Sequence, residues 1–111
     1  MSVGTHTFHC EVEKSEDGAG GKVTRVICHG HVVNQTGDQL KDTVKPLIKD
    51  GGHILVDLTD VSYVDSMGLG TLVGLKVSAV SAGFCTLEFV NLSKRLQELL
   101  KLTHLTSMLS S

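Results

Sequence analysis

Asp65 and Ser66 are the pair in this chain best placed for chemistry, because they stand where an apolar strand gives way to a helix. The run His53-Ile54-Leu55-Val56-Asp57-Leu58 reads as a buried strand, Thr59 to Asp65 as a loop, and Ser66 onward as a helix. An aspartate in front of a helix accepts from its first unpaired N–H groups, which makes Asp65 the N-cap. Ser66 then falls on the first helical turn, near the positive end of the helix dipole. A phosphate on its hydroxyl would be tolerated there and would add roughly two negative charges to the surrounding surface. Such a layout suits a binding surface switched by phosphorylation.

Other sets of residues suggest other chemistries. Gly68, Gly70 and Gly74, with Glu88 further along, imitate a dinucleotide-binding fingerprint. The spacing is off by one, and the glycines fall inside the helix instead of in the turn after the strand. A small nucleotide-binding domain is therefore a remote alternative. Helical glycines cost about 1 kcal/mol each relative to alanine, so these serve either tight packing on the sheet or a low surface that a partner can approach. Val64-Asp65-Ser66-Met67-Gly68 lacks the first glycine of a nucleophile elbow, and nothing ties His53 or His104 to Ser66 as a base. The chain reads as a non-enzyme with no cofactor.

His6, His9, Cys10, Cys28, His29 and His31 would approach one another if the first two strands pair. Strand alternation separates Cys28 from His29 and His31, and the spacing matches no standard zinc pattern. The expectation is reduced, structural cysteines, solvent-facing histidines and no metal.

The elements that must position these residues follow from periodicity and punctuation. Thr7 to Glu13 reads as a strand with Phe8, Cys10 and Val12 on one face, Lys14 to Gly21 as an exposed turn, and Val23 to Val33 as a second strand. Together they predict a long-looped hairpin. Asn34 and Thr36 offer N-caps for a helix through Lys49 with Leu40, Val44, Leu47 and Ile48 inward. Pro46 is expected to kink or shorten it. After Gly51-Gly52, three consecutive apolar residues, Ile54, Leu55 and Val56, predict a central strand buried on both sides. The helix from about Ser66 to Ala82 should bury Leu69, Leu72, Val73, Val77 and Val80 and stop at Gly83. Cys85 to Val90 reads as a strand and Ser93 to Leu102 as a helix with Leu96, Leu99 and Leu100 inward. Leu105 to Ser111 is too short to assign. The fold class is α/β: one mixed β-sheet with an N-terminal hairpin and helices packed on it.

One hundred and eleven residues suffice for one domain, 1–111, with a core spanning about 7–105. A net charge of −2, three Phe, one Tyr and no Trp give no basic footprint or stacking platform for nucleic acid. No run approaches the ~20 apolar residues of a membrane span, and Met1 to Cys10 lacks the pattern of a secretory leader. Three cysteines without a CxxC pair fit a reducing compartment, so a cytoplasmic location is expected.

The segment Ile54 to Leu75, ILVDLTDVSYVDSMGLGTLVGL, resembles the signature of STAS domains, in particular bacterial anti-sigma factor antagonists. The matching residues are Asp57, Leu58, Thr59, Val61, Tyr63, Asp65, Ser66, Gly68, Leu69 and Gly70. The likeness extends more weakly from Val23 through Leu105 and includes the Asn91-Leu92-Ser93 turn. It implies binding to an anti-sigma factor that is also a serine kinase, which releases a sigma factor. It further implies phosphorylation at Ser66 that ends the interaction, and a PP2C-type phosphatase that restores it. Asp65, Ser66, Met67, Gly68, Leu69 and Gly70 would form the partner-binding surface. Two departures stand out: Met67 replaces a frequent Ser or Thr, and Gly30 is followed by His31, Val32 and Val33 where many relatives carry acids. The alternative implied by the family is a constitutive scaffold or transport-associated module in which Ser66 is never phosphorylated.

Overall fold

The computed structural model describes residues 8–18, 20–83 and 85–102. Along them run β1 (Phe8–Glu16), β2 (Lys22–Val32), α1 (Gly37–Asp50), β3 (Gly52–Val64), α2 (Ser66–Ala82), β4 (Cys85–Val90) and α3 (Lys94–Leu102). The four strands make one sheet in the order β1-β2-β3-β4, with β1 antiparallel to β2 and the other pairs parallel. The α/β class and the order of elements are those the sequence predicts. Thr7, His6, His104, the Leu99 side chain and Leu105 to Ser111 lie outside the described residues.

Alternation along the strands sends Val26 and Cys28, then Ile54, Val56 and Leu58, then Leu87 and Phe89 to one face. There they meet Leu40 and Val44 of α1, Leu72 and Leu75 of α2, and Leu96 and Leu100 of α3 in a single core. Each such buried aliphatic side chain contributes roughly 1.5–3 kcal/mol of transfer free energy. β3 is central, between β2 and β4, but it is not buried on both sides. Leu55 and Ile27 point the other way and are only half-buried, on a face that also carries Arg25, His29 and Glu88. Three apolar residues in a row overstate burial here because the described helices draw on one face alone.

Four other expectations change. The hairpin turn is tighter than predicted: pairing continues to Glu16↔Lys22, and the Asp17 carboxylate accepts from Gly21 N at 2.8 Å across the bend. Polar Lys14 to Glu16 look like a turn in sequence, yet an exposed strand end accepts them, and Val12 is exposed there too. The loop expected from Thr59 to Asp65 is strand as far as Val64, with Asp65 left as the helix cap. β3 runs on to Val64 beside β2, absorbing two register shifts between Ile27 and His29 and between Gly30 and His31. α1 continues past Pro46 to Asp50, with Pro46 exposed, so the proline does not shorten it. On α2 the buried residues are Gly68, Leu69, Thr71, Leu72, Leu75 and Ala79, while Val77 and Val80 are 46% and 70% exposed. That helix is apolar nearly all round, so spacing alone could not select its inner face.

Candidate functional site

The start of α2 is built on the end of β2. Asp65 is extended and caps the helix, its Oδ1 accepting from Gly68 N at 2.6 Å. Its backbone N–H donates to the Val32 carbonyl at 3.3 Å, and Asn34 N donates to its Oδ2 at 3.4 Å. One aspartate thus fixes the helix origin against both β2 and the loop entering α1. That loop is latched by Thr36, which does not cap α1 with its side chain as expected. Its hydroxyl accepts from Val33 N at 3.0 Å and donates to the His31 carbonyl at 2.6 Å.

Ser66 is exposed on the first turn, and Met67 beside it is 60% exposed. Of the six residues expected at a docking surface, Asp65, Ser66, Met67 and Gly70 reach solvent, whereas Gly68 and Leu69 are buried. Those two act from beneath the surface. A Cβ on Gly68 would fall 1.8 Å from the Val32 carbonyl oxygen, so the packing reading holds for this glycine. Gly70 and Gly74 have nothing within 4 Å of the same position and leave the helix surface low.

Two hollows flank Ser66. A cleft of about 360 Å³ between the end of β3 and the start of α3 is lined by Tyr63, Val64, Asp65, Ser66, Arg95 and Leu96, among others. A second, of about 220 Å³, lies between the starts of α1 and α2 and is lined by Asn34, Asp38, Lys41, Ser66, Met67 and Gly70. Charges of both signs thus line these hollows, Arg95 and Asp65 in the first and Lys41 and Asp38 in the second. After Gly30 of β2, this chain places His31 edge-on to the Tyr63 ring, with centroids 6.0 Å apart.

A polar cluster that the sequence did not reveal supports the site from the other face of β3. Asp57 accepts from Arg25 Nη2 at 2.7 Å and Nε at 3.2 Å, from Thr59 N and Oγ1 at 2.9 and 2.6 Å, and from Asn91 Nδ2 at 3.1 Å. Burial alone would raise this carboxyl, but the donors from Thr59, Arg25 and Asn91 outweigh it and hold the group well below the usual carboxylate range. The side-chain bond to Thr59 also turns the backbone where β3 first slips against β2. Asn91 reaches Asp57 from a left-handed backbone position, φ 59°, directly after β4. α3 then starts with Ser93 Oγ accepting from Leu96 N at 3.0 Å.

The STAS domain profile matches residues 21–110. The chain belongs to the STAS domain family. It is 42% identical over 67 residues to the anti-sigma-B factor antagonist of Bacillus subtilis strain 168, a match that spans 60% of this chain and 60% of that protein. Among solved structures, an anti-sigma factor antagonist from Mycobacterium paratuberculosis superposes with a TM-score of 0.72 at 20% identity, covering 93% of this chain and 83% of that one. The murine Slc26a9 anion transporter reaches the same TM-score at 14% identity, covering 93% of this STAS chain and 19% of the transporter. One fold thus serves a regulator and a transporter, so function has to be argued from the site.

Proposed function

We propose that this STAS domain is an anti-sigma factor antagonist acting in the bacterial cytoplasm. It binds an anti-sigma factor that is also a serine kinase, frees the sigma factor held there, and is switched off when Ser66 is phosphorylated. A PP2C-type phosphatase resets it. The observation that carries this reading is the exposed Ser66 on the capped first turn of α2, between two hollows and beside exposed Met67. The likeness to the Bacillus subtilis anti-sigma-B factor antagonist supports it. The domain works by binding, so its output is an affinity.

The switch follows from electrostatics. A phosphoserine dianion at position 66 is tolerated by the helix end, so the fold survives modification. The same dianion lies next to Asp65 and would have to lose its water against a docked partner. Repulsion and desolvation then exceed the attraction to the helix terminus. The test is a titration of the organism's own anti-sigma kinase with the wild-type, phosphorylated, Ser66→Ala and Ser66→Asp proteins. Ser66→Ala should bind and take up no phosphate. The phosphorylated form should not bind, and Ser66→Asp, with one charge instead of roughly two, should fall between. Equal binding by all four forms would leave a constitutive scaffold as the better account.

A further inference from the structure

The outer face of the β1–β2 hairpin, opposite the helix-packed core, holds a second group of chemistry-bearing side chains. His9 and His29 are directly opposed across the two strands, and Glu11 lies two residues beyond His9 on the same face. The imidazole rings stack, with centroids 4.5 Å apart and planes 17° from parallel. One donor atom each from His9, Glu11 and His29 lie within 4.8 Å of one another. His29 is held at both nitrogens: Nδ1 is 2.5 Å from Asp60 Oδ2 and Nε2 is 2.6 Å from Glu11 Oε1. Asp60 reaches it because β3 bulges against β2 between Ile27 and His29.

We propose that His9, Glu11 and His29 form a binding site for a divalent transition-metal ion of the zinc type. Two imidazoles and one carboxylate are a donor set for zinc, nickel, cobalt or copper, whereas calcium and magnesium require oxygen donors almost throughout. Tetrahedral metal–donor bonds of about 2.0–2.2 Å set two donors on one ion roughly 3.3–3.6 Å apart. The donor atoms, which lie within 4.8 Å of one another, therefore have to draw together, and rotation of the exposed His9 and Glu11 side chains allows it. Asp60 supplies the outer support that metal-ligating histidines commonly have: its carboxylate accepts the hydrogen bond from Nδ1–H and leaves Nε2 facing the Glu11 carboxylate. Binding replaces the Nε2 proton shared with Glu11, which passes to solvent, and three protein donors leave the remaining coordination positions to water. The cysteines play no part. Cys28 is fully buried in the core on the opposite face, and Cys10 faces it with the sulfurs 4.0 Å apart. The sequence predicts no metal at all here; with the cysteines on the other face, His9 and His29 instead meet Glu11, a residue that the His/Cys pattern does not include.

The test is calorimetric titration of the chelator-treated full chain with zinc chloride, with cobalt absorption as a second readout. One zinc per chain is expected, unaffected by excess magnesium. His9→Ala should abolish binding while leaving the circular dichroism unchanged, because His9 is exposed and, among the described residues, its ring contact is the stack on His29. Asp60→Asn should weaken zinc by about 10–100-fold. His53→Ala, on the same sheet face in β3, should bind as wild type. The absence of saturable binding at stoichiometric zinc, or an affinity unchanged in His9→Ala, would overturn the proposal. His29→Ala also removes the ion pairs to Glu11 and Asp60, so it is read only alongside the His9 variant.

Discussion

Gly68 and the Val32 carbonyl are so close that no side chain fits between them: an added Cβ would sit 1.8 Å from the oxygen and 2.5 Å from the carbon. The obstacle is backbone on both sides, so rotation of a side chain cannot relieve it. Gly68→Ala is expected to cost more than about 3 kcal/mol, beyond ordinary overpacking. Against a total stability of roughly 5–15 kcal/mol, the urea midpoint should drop sharply. A midpoint within error of wild type would mean that α2 does not rest on β2 as described.

Gly70, two residues on, should behave in the opposite way. Open space surrounds its Cβ position, so Gly70→Ala should raise stability by about 0.5–1 kcal/mol through helix propensity alone. A bulky Gly70→Arg should keep the fold and impair docking of the anti-sigma factor. Unchanged affinity in that variant would move the docking surface away from this turn of the helix.

Loss of the cap is the third case. Asp65→Ala removes the acceptor for Gly68 N and for Asn34 N and should cost about 1–2 kcal/mol in urea unfolding. Asp65→Asn keeps an acceptor oxygen and should recover most of that. If Asn proves as damaging as Ala, the carboxylate charge, and not the cap, is what the fold uses.

Acid should act through Asp57. Its carboxyl is held below the usual range in the fold and returns to about 4 when the chain unfolds, so its contribution is complete above the unfolded value. As pH falls through the depressed folded value, the folded form must take up a proton and that stability is lost. Stability measured from pH 7 downwards should therefore decline more steeply for wild type than for Asp57→Asn. Parallel curves would show that the Arg25 and Asn91 bonds are not sensitive to the charge.

Elements were legible where local rules agree. The Asp65 cap, the strand before it and the glycine stops are short-range signals, and each reappears in the structure. The position of Ser66 at the helix start follows from them. What escaped was decided by distant partners. Thr59, Asp60 and Ser62 are turn-forming residues, yet pairing of Asp60, Val61 and Tyr63 with β2 keeps their segment in a strand. Arg25 and Asn91 converge on Asp57 from 32 and 34 residues away, a meeting that no window of sequence contains. The D-L-T and N-L-S motifs named two corners of that cluster without showing that they touch. The inner face of α2 was misjudged because Val77 and Val80 are as apolar as the residues that are buried.

The order β1-β2-β3-β4 has a consequence for how the chain is made. Every strand lies beside its immediate predecessor, so no early segment must wait at a ribosome for a much later one. The hairpin is expected to close first, since its pairings are the most local, with each following helix–strand unit then docking on the open edge. Growth during synthesis and growth of the sheet run in the same direction. Ser66 is assembled when β3 has joined β2 and Asp65 has found the Val32 carbonyl, one strand before the sheet is complete.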